Sequence, residues 1–271
     1  MKYDENSEEF WRTFLTGADP DLVKLQRLFR KMPSAPRCKM CNAPFARPGS
    51  LLLRPFGWRR WAANPTLCTI CARGLQNHRG GAEVDAAFLF ADIRGSTSMA
   101  ERLSPGAFHA LLERFYKAAA MAIDDNHGLV DKYMGDGVVA LFIPVITQEV
   151  LPERAAIDAG RAILAATGHG AGETPWLPVG VGVHAGTAFV GIVGTEGGTN
   201  DFTGVGDVVN TAARLGSEAA DGELLVSSAT MASAGFDVAG LESRRLSLKG
   251  KEDPVDVVVL GADTPAATIA A

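Results

Sequence analysis

The chain has 271 residues, 47% of them apolar, which is enough for one ordinary domain with a real core and a smaller module beside it. Its 26 Lys and Arg against 31 Asp and Glu give a net charge of −5, which argues against a broad nucleic-acid-binding surface and leaves only local basic patches open. The opening MKYDENSEEFW is acidic and polar where a secretion signal is basic and then apolar, so a cytoplasmic protein is expected.

Residues 1–37 read as a helical arm. Asp19-Pro20 is a helix start, and Leu22, Leu25, Phe29 and Met32 recur at three- and four-residue spacing between Lys24, Arg27, Arg30 and Lys31. The expectation is a helix packed on the body or on a partner subunit; a basic helix at a membrane surface is the other reading. Residues 38–80 form a cysteine module. Cys38-Lys-Met-Cys41 and Cys68-Thr-Ile-Cys71 are two short knuckles, and in a chain without an export signal they point to a metal site before disulfides. Four thiolates close a tetrahedral shell, so a structural Zn²⁺ is expected; an iron–sulfur cluster or free thiols are the alternatives. Between the knuckles, Arg54, Arg59 and Arg60 alternate with Phe56, Trp58 and Trp61. Packing within the module is preferred there over nucleic-acid or membrane contact, because a small module needs apolar side chains to cover itself.

Residues 81–262 form the large domain. In order they give a strand in AAFLFADI, a helix in SPGAFHALLERFYKAAAMAIDDN, hairpin strands in GLVDKYM and GVVALFI, and a helix in PERAAIDAGRAILAAT. Thr174–Thr195 has no Asp, Glu, Lys or Arg, but its prolines, His184 and glycines argue against a membrane span. VGVGVH and TAFVGIVG are expected as two buried strands around a His-Ala-Gly turn. A helix from about Asp207, a strand at ELLVS and late strands near RRLSLK and VDVVVL follow. Helices between antiparallel strand pairs indicate an α+β sandwich of the ferredoxin-like type. Residues 263–271 read as a disordered tail.

Three segments carry chemistry. In FLFADIRGSTSMAERL an apolar strand ends in Asp92 and a Gly-Ser-Thr-Ser stretch leads into a helix, pairing a carboxylate that can bind Mg²⁺ with backbone N–H groups that can bind phosphate. In DKYMGDGVVALF, Asp136 sits at a hairpin tip, where it could meet Asp92 if the strands are neighbours. Two such carboxylates repel unless a cation lies between them. In DFTGVGDVVNTAARL, Asn210 and Arg214 share one helix face, where an amide and a guanidinium can grip ribose and phosphate. Each fragment also has an ordinary structural reading as a turn or a surface pair.

Taken together and in order, FADIRGST, KYMGDGVVALF, VGVGVHAGTAFVGIVG, GDVVNTAARL and SLKGK resemble the class III adenylyl/guanylyl cyclase catalytic domain over roughly residues 82–262. The resemblance implies a homodimer with two active sites at the subunit interface. Asp92, Asp136 and the carbonyl of Ile93 would hold two Mg²⁺ or Mn²⁺ ions per site, which would favour attack of the ribose 3′-hydroxyl and neutralise the leaving pyrophosphate. Gly95, Ser96 and Thr97 would line the phosphates. The other subunit would supply Lys132 and Thr203 to read the base, Asn210 to orient the ribose and Arg214 to stabilise charge on the α-phosphate; Lys249, or its neighbour Lys251, would contact the outer phosphates. A Lys donor suits adenine, whereas guanine would need an acceptor such as Glu at position 132, and Thr203 marks a mainly bacterial ATP-reading subgroup. The implied reaction is ATP to cyclic AMP and pyrophosphate. A guanylate cyclase, or a nucleotide-sensing zinc-containing binding protein, are the competing readings. Ser96 stands where many members carry Phe, and TEGGTND lacks the basic residue that some members place there.

Overall fold

The structure is a computed structural model that describes residues 7–172, 174–195 and 200–264. Of the tail expected at 263–271, residues 265–271 lie outside the described residues, as do 196–199 of the TEGGTND segment. In chain order the first elements are α1 (Glu8–Leu15), α2 (Pro20–Arg30), α3 (Gly49–Leu53), α4 (Thr69–Asn77), β1 (Gly80–Ile93), α5 (Ser96–Arg102), α6 (Pro105–Asp125), β2 (Leu129–Met134), β3 (Gly137–Phe142), α7 (Pro144–Thr147) and α8 (Pro152–Leu164). They are followed by β4 (Val179–Gly194), β5 (Asn200–Val205), α9 (Asp207–Glu218), β6 (Leu224–Ser227), α10 (Ser228–Ser233), β7 (Ser243–Leu246) and β8 (Val255–Leu260). Among the described residues no helix is long and apolar enough to cross a membrane.

The chain divides into two compact units, each discontinuous in sequence. The smaller takes in the residues up to Val84, Ile143–Glu149 and Phe189–Val205. In it, Asp19 caps α2 by accepting from Leu22 N at 2.7 Å, with Pro20 in the first turn where its missing N–H costs nothing. Phe29 and Gln26 are the buried residues of α2, and Gln26 donates to Met40 O at 2.6 Å. Arg37 donates to Phe29 O and Asn42 O, tying α2 to the first cysteine loop. In α1, Trp11 and Leu15 are buried, and the helix packs on α7.

The larger unit, Asp85–Phe142, Val150–Ala188 and Gly206 onward, carries the sheet in the order β2-β3-β1-β4-β6-β8-β7. Helices α6 and α8 pack over one face, where Phe115, Ala119, Ile123, Ile157 and Ile163 meet Leu89, Val181, Leu224 and Val226. On β6 the neighbouring Leu225 belongs to a second cluster with Leu215, Leu248 and Val257. Both faces of β6 are therefore covered, which is why ELLVS reads as a continuous apolar run and not as an alternation. A Cβ on Gly182 would lie 2.0 Å from Gly216 N, so α9 approaches β4 more closely than a side chain allows.

The mixed α+β class expected from the sequence is the one observed, with one local correction. VGVGVH and TAFVGIVG are not two strands around a turn; they form the single 16-residue strand β4. The chain does not reverse at His184-Ala185-Gly186, because β4 changes partners there. Val181–Val183 pair in parallel with β6, Ala185 N donates to Thr230 Oγ1 at 2.9 Å, and Phe189–Gly194 pair antiparallel with β5. Strand β5, too short and too rich in Asn, Asp and Gly to stand out in the sequence, makes the return.

Candidate active site and cysteine centre

The antiparallel register of β1 and β3 decides where the two aspartates go. Asp92 pairs with Gly137, and Ile93 N donates to Asp136 O at 3.2 Å, so the hairpin tip lies at the end of β1. The tip turns through Gly135 at φ 62, a left-handed conformation that favours glycine. Tyr116 of α6 donates to Gly135 O, and its ring lies 4.5 Å from that of Tyr133. Burial pushes the Asp92 carboxyl up; Arg94 opposes this, and the nearby Asp136 carboxylate pushes it further up. Ser96, in the first turn of α5 after the cap Gly95, donates to the Asp136 carboxylate. The donor set is all oxygen and carries two like charges in contact, which suits a hard divalent cation.

Arg94, which no sequence argument singled out, stands beside this pair. It forms an ion pair with Asp92 and donates to Ser217 O at 2.8 Å and Ala219 O at 3.2 Å, at the C-terminal end of α9. A cation there meets the negative end of the helix dipole. The signal was a basic residue two positions after Asp92 in ADIRGST.

The other expected site residues are spread over α9, β2, β5 and the segment before β8. Asn210 and Arg214 lie on α9 as expected, and the Arg214 guanidinium reaches Gly250: a Cβ there would be 3.2 Å from its Nη2. Lys249 is exposed, and Lys251 is paired with Asp207 at 2.6 Å. Lys132 follows a break in the β2–β3 register between Val130 and Lys132, which makes Asp131 the extra residue of a bulge. Its ammonium lies 3.6 Å from Asp131 Oδ2. That bulge was not legible in the sequence. Thr203, only 5% exposed, lies on β5 opposite Gly191.

In the smaller unit the two knuckles converge. The four sulfurs of Cys38, Cys41, Cys68 and Cys71 all lie within 4.8 Å of one another, and the cysteines are unbridged. Lys39 N donates to Thr66 O at 3.0 Å, joining one knuckle to the other, and Cys68 N and Cys71 N point at Cys38 Sγ and Cys68 Sγ at 3.3 and 3.4 Å. Backbone N–H groups aimed at sulfur stabilise thiolates. Hydrogen bonding within the cluster, chiefly with Cys41, holds the Cys38 thiol well below its usual range. Of the Arg and aromatic stretch, Trp58 packs edge-on to Phe29 at 5.5 Å and Arg60 lies over Phe45 at 5.2 Å, while Phe56 is exposed.

Residues 82–261 match the family described as the adenylate and guanylate cyclase catalytic domain. An adenylate cyclase of Anabaena cylindrica is 34% identical over 165 residues, which cover 58% of this chain and 32% of that protein. The chain thus spans about a third of the length of the curated relatives it matches. Among solved structures, the guanylyl cyclase Cya2 superimposes with a TM-score of 0.60 at 30% identity, over 69% of this chain and 96% of that one. The adenylyl cyclase CyaB from P. aeruginosa gives 0.56 at 27% identity, over 66% and 95%.

Proposed function

The chain belongs to the adenylate and guanylate cyclase catalytic-domain family, and from that premise we propose that it converts ATP to 3′,5′-cyclic AMP and pyrophosphate in a homodimer with two shared sites. The observation that carries the proposal is the Asp92–Asp136 pair, brought together by the β1–β3 register. With the carbonyl of Ile93, these carboxylates would hold two Mg²⁺ or Mn²⁺ ions. Bound there, the ions supply Lewis-acid stabilisation of the attacking hydroxyl and of the leaving group.

The chain's own residues do the positioning. Gly95, Ser96 and Thr97 lie beside the carboxylates and cradle phosphate oxygens; Ser96 already holds Asp136 in place. From the second subunit, Asn210 orients the ribose. Arg214, one turn further along α9, meets the charge that grows on the α-phosphate. Lys132 donates to the adenine ring nitrogen and Thr203 accepts from the adenine amino group. Lys249 takes the outer phosphates in preference to Lys251, whose ammonium is engaged by Asp207. Residues 81–262 form the cyclase domain, preceded by the arm at 1–37 and the module at 38–80, where Cys38, Cys41, Cys68 and Cys71 hold a structural Zn²⁺. Four sulfur donors and burial leave no open position for catalysis at that ion. The role is intracellular cyclic-nucleotide signalling.

A guanylate cyclase is the second reading, favoured by the likeness to Cya2. Purified protein assayed with Mn²⁺ and either ATP or GTP separates the two. Faster turnover of ATP, reversed or erased by Lys132→Glu, supports the adenylate reading. Faster turnover of GTP overturns it, and bound ATP without any cyclic product overturns both in favour of a sensing role.

A further inference from the structure

Two of the four cysteines are part of helix α4. Cys68 is its N-cap, accepting from Cys71 N, and Cys71 lies in its first turn. Whatever fixes these sulfurs therefore fixes the start of α4. The helix packs directly on β5. Its Cys71, Gly74 and Leu75, with His78 just beyond, line an apolar pocket closed on the other side by Phe10, Trp11 and Phe14 of α1.

Trp11 joins these parts. It is 1% exposed, and its indole Nε1 donates to Arg79 O at 3.1 Å, just past the end of α4. Its ring stacks on Phe202 with centroids 6.4 Å apart and planes 20° from parallel. Phe202 precedes Thr203 on β5, and successive strand side chains point to opposite faces. Trp11 thus packs on the back of β5, behind Thr203. Strand β5 is six residues long and pairs with β4. It lies off the main path of the sheet and its only strand partner among the described residues is β4, so its ladder runs along one edge and side chains packed on its face supply much of what holds its position.

We propose that the cysteine centre, loaded with Zn²⁺, braces β5 through α4 and Trp11, making Trp11 a positioning residue for Thr203 and the module a determinant of base selectivity. The selectivity clause rests on the cyclase reading of Thr203; the bracing does not. A positioning error of about 1 Å costs on the order of 100-fold in rate, so a modest loosening of β5 is enough to be measured.

The test uses the full chain, purified without added metal. Elemental analysis should find about one zinc per chain in the wild type, and Cys68→Ser should lose it. Hydrogen exchange should then accelerate about tenfold or more across Asn200–Val205 in Cys68→Ser and in Trp11→Leu, with Trp11→Phe intermediate, since it keeps a ring against Phe202 but loses the Arg79 bond, and the β2–β3 hairpin unchanged in all three. Trp11→Leu should retain its zinc and show a lower ATP-to-GTP preference, restored in part in Trp11→Phe. Absence of zinc from the wild type, unchanged exchange in β5, or exchange that rises equally in the β2–β3 hairpin would each overturn the bracing. If β5 loosens as expected but the wild type makes no cyclic nucleotide, the bracing stands and the cyclase reading of the site falls.

Discussion

The carboxylates at the end of β1 and the thiols at the start of α4 both gather ligand atoms from segments distant in sequence, but with opposite materials and opposite access. Asp92 and Asp136 offer hard oxygen donors, are only half-buried, and are held by side chains that can let go: Arg94 on one, Ser96 on the other. Cys38, Cys41 and Cys68 are fully buried soft donors, and Cys38 and Cys68 are held by backbone N–H groups that cannot. Hard, open, oxygen-lined sites suit exchangeable Mg²⁺ or Mn²⁺, and closed thiolate sites suit a permanent ion. One kind of site is built to be entered and the other to be finished.

Loss of a single group from the open site should cost activity and little else. Asp92→Ala should lower turnover at least a hundredfold, because the lost electrostatic stabilisation amounts to several kcal/mol and each ~1.4 kcal/mol is tenfold. Its melting temperature should stay near wild type, since relief of the repulsion with Asp136 offsets the lost Arg94 pair. Arg214→Ala should fall on the order of 10²–10³-fold. Mixed and reassociated with Asp92→Ala, it should recover about a quarter of wild-type activity: half the dimers are mixed, and each has one intact site of two. No recovery would refute the shared site. A mutant in which Asp92→Ala also melts many degrees lower would erase the contrast, because the open site would then be structural too.

A chelator probes the same contrast. Brief EDTA treatment should abolish activity, and Mg²⁺ or Mn²⁺ alone should restore it fully, with the cysteine-bound metal still present by elemental analysis. If restoration also requires Zn²⁺, the cysteine centre exchanges as readily as the carboxylates and the distinction fails.

Legibility in the sequence differs between the regions for physical reasons. The knuckles announce themselves, because CxxC places two sulfurs on one short turn and only their meeting needs the fold. Asp92 and Asp136 do not: a strand-end Asp and a hairpin Asp are commonplace, and only the order of five segments gives them meaning. Helices α2 and α6 are legible because Asp19, Ser104 and the period of Leu22, Phe29, Phe115 and Ile123 carry local information. Local reading fails where partners decide. His184-Ala185-Gly186 looks like a turn until Thr230 accepts Ala185 N. The Asp131 bulge depends on β3, and the role of Arg94 depends on the end of α9.

Packing gives a smaller expected effect, confined to the family region. Gly182→Ala would drive a methyl to 2.0 Å from Gly216 N, where backbone must move. A loss of about 1–3 kcal/mol is expected for overpacking of this kind, read as a lowered denaturation midpoint. A stability equal to wild type would show that α9 can shift on β4 at no cost.

An effect of similar size, seen only on acidification, is a titration. His184 lies on β4 with its Nδ1 2.7 Å from Ser227 Oγ, and burial, reinforced by the Lys251 ammonium and partly opposed by Asp207, pushes its pKa down to about 4. The folded chain therefore binds its proton less readily than the unfolded chain. The stability this lends is complete above the unfolded value near 6.5 and drains as the pH falls from there towards 4. Over that window the wild type should lose on the order of 2 kcal/mol more than His184→Asn, since each tenfold difference in proton affinity between folded and unfolded chain is worth ~1.4 kcal/mol. Denaturant melts of the two proteins at pH 7 and at about pH 4.5, between the folded and unfolded values, measure the difference, with the carboxylate contributions common to both cancelling. Parallel losses would mean that His184 is solvated when folded. A loss that vanished in Cys68→Ser would place the linkage in the cysteine centre and not in the family region, against the division of labour between the two sites.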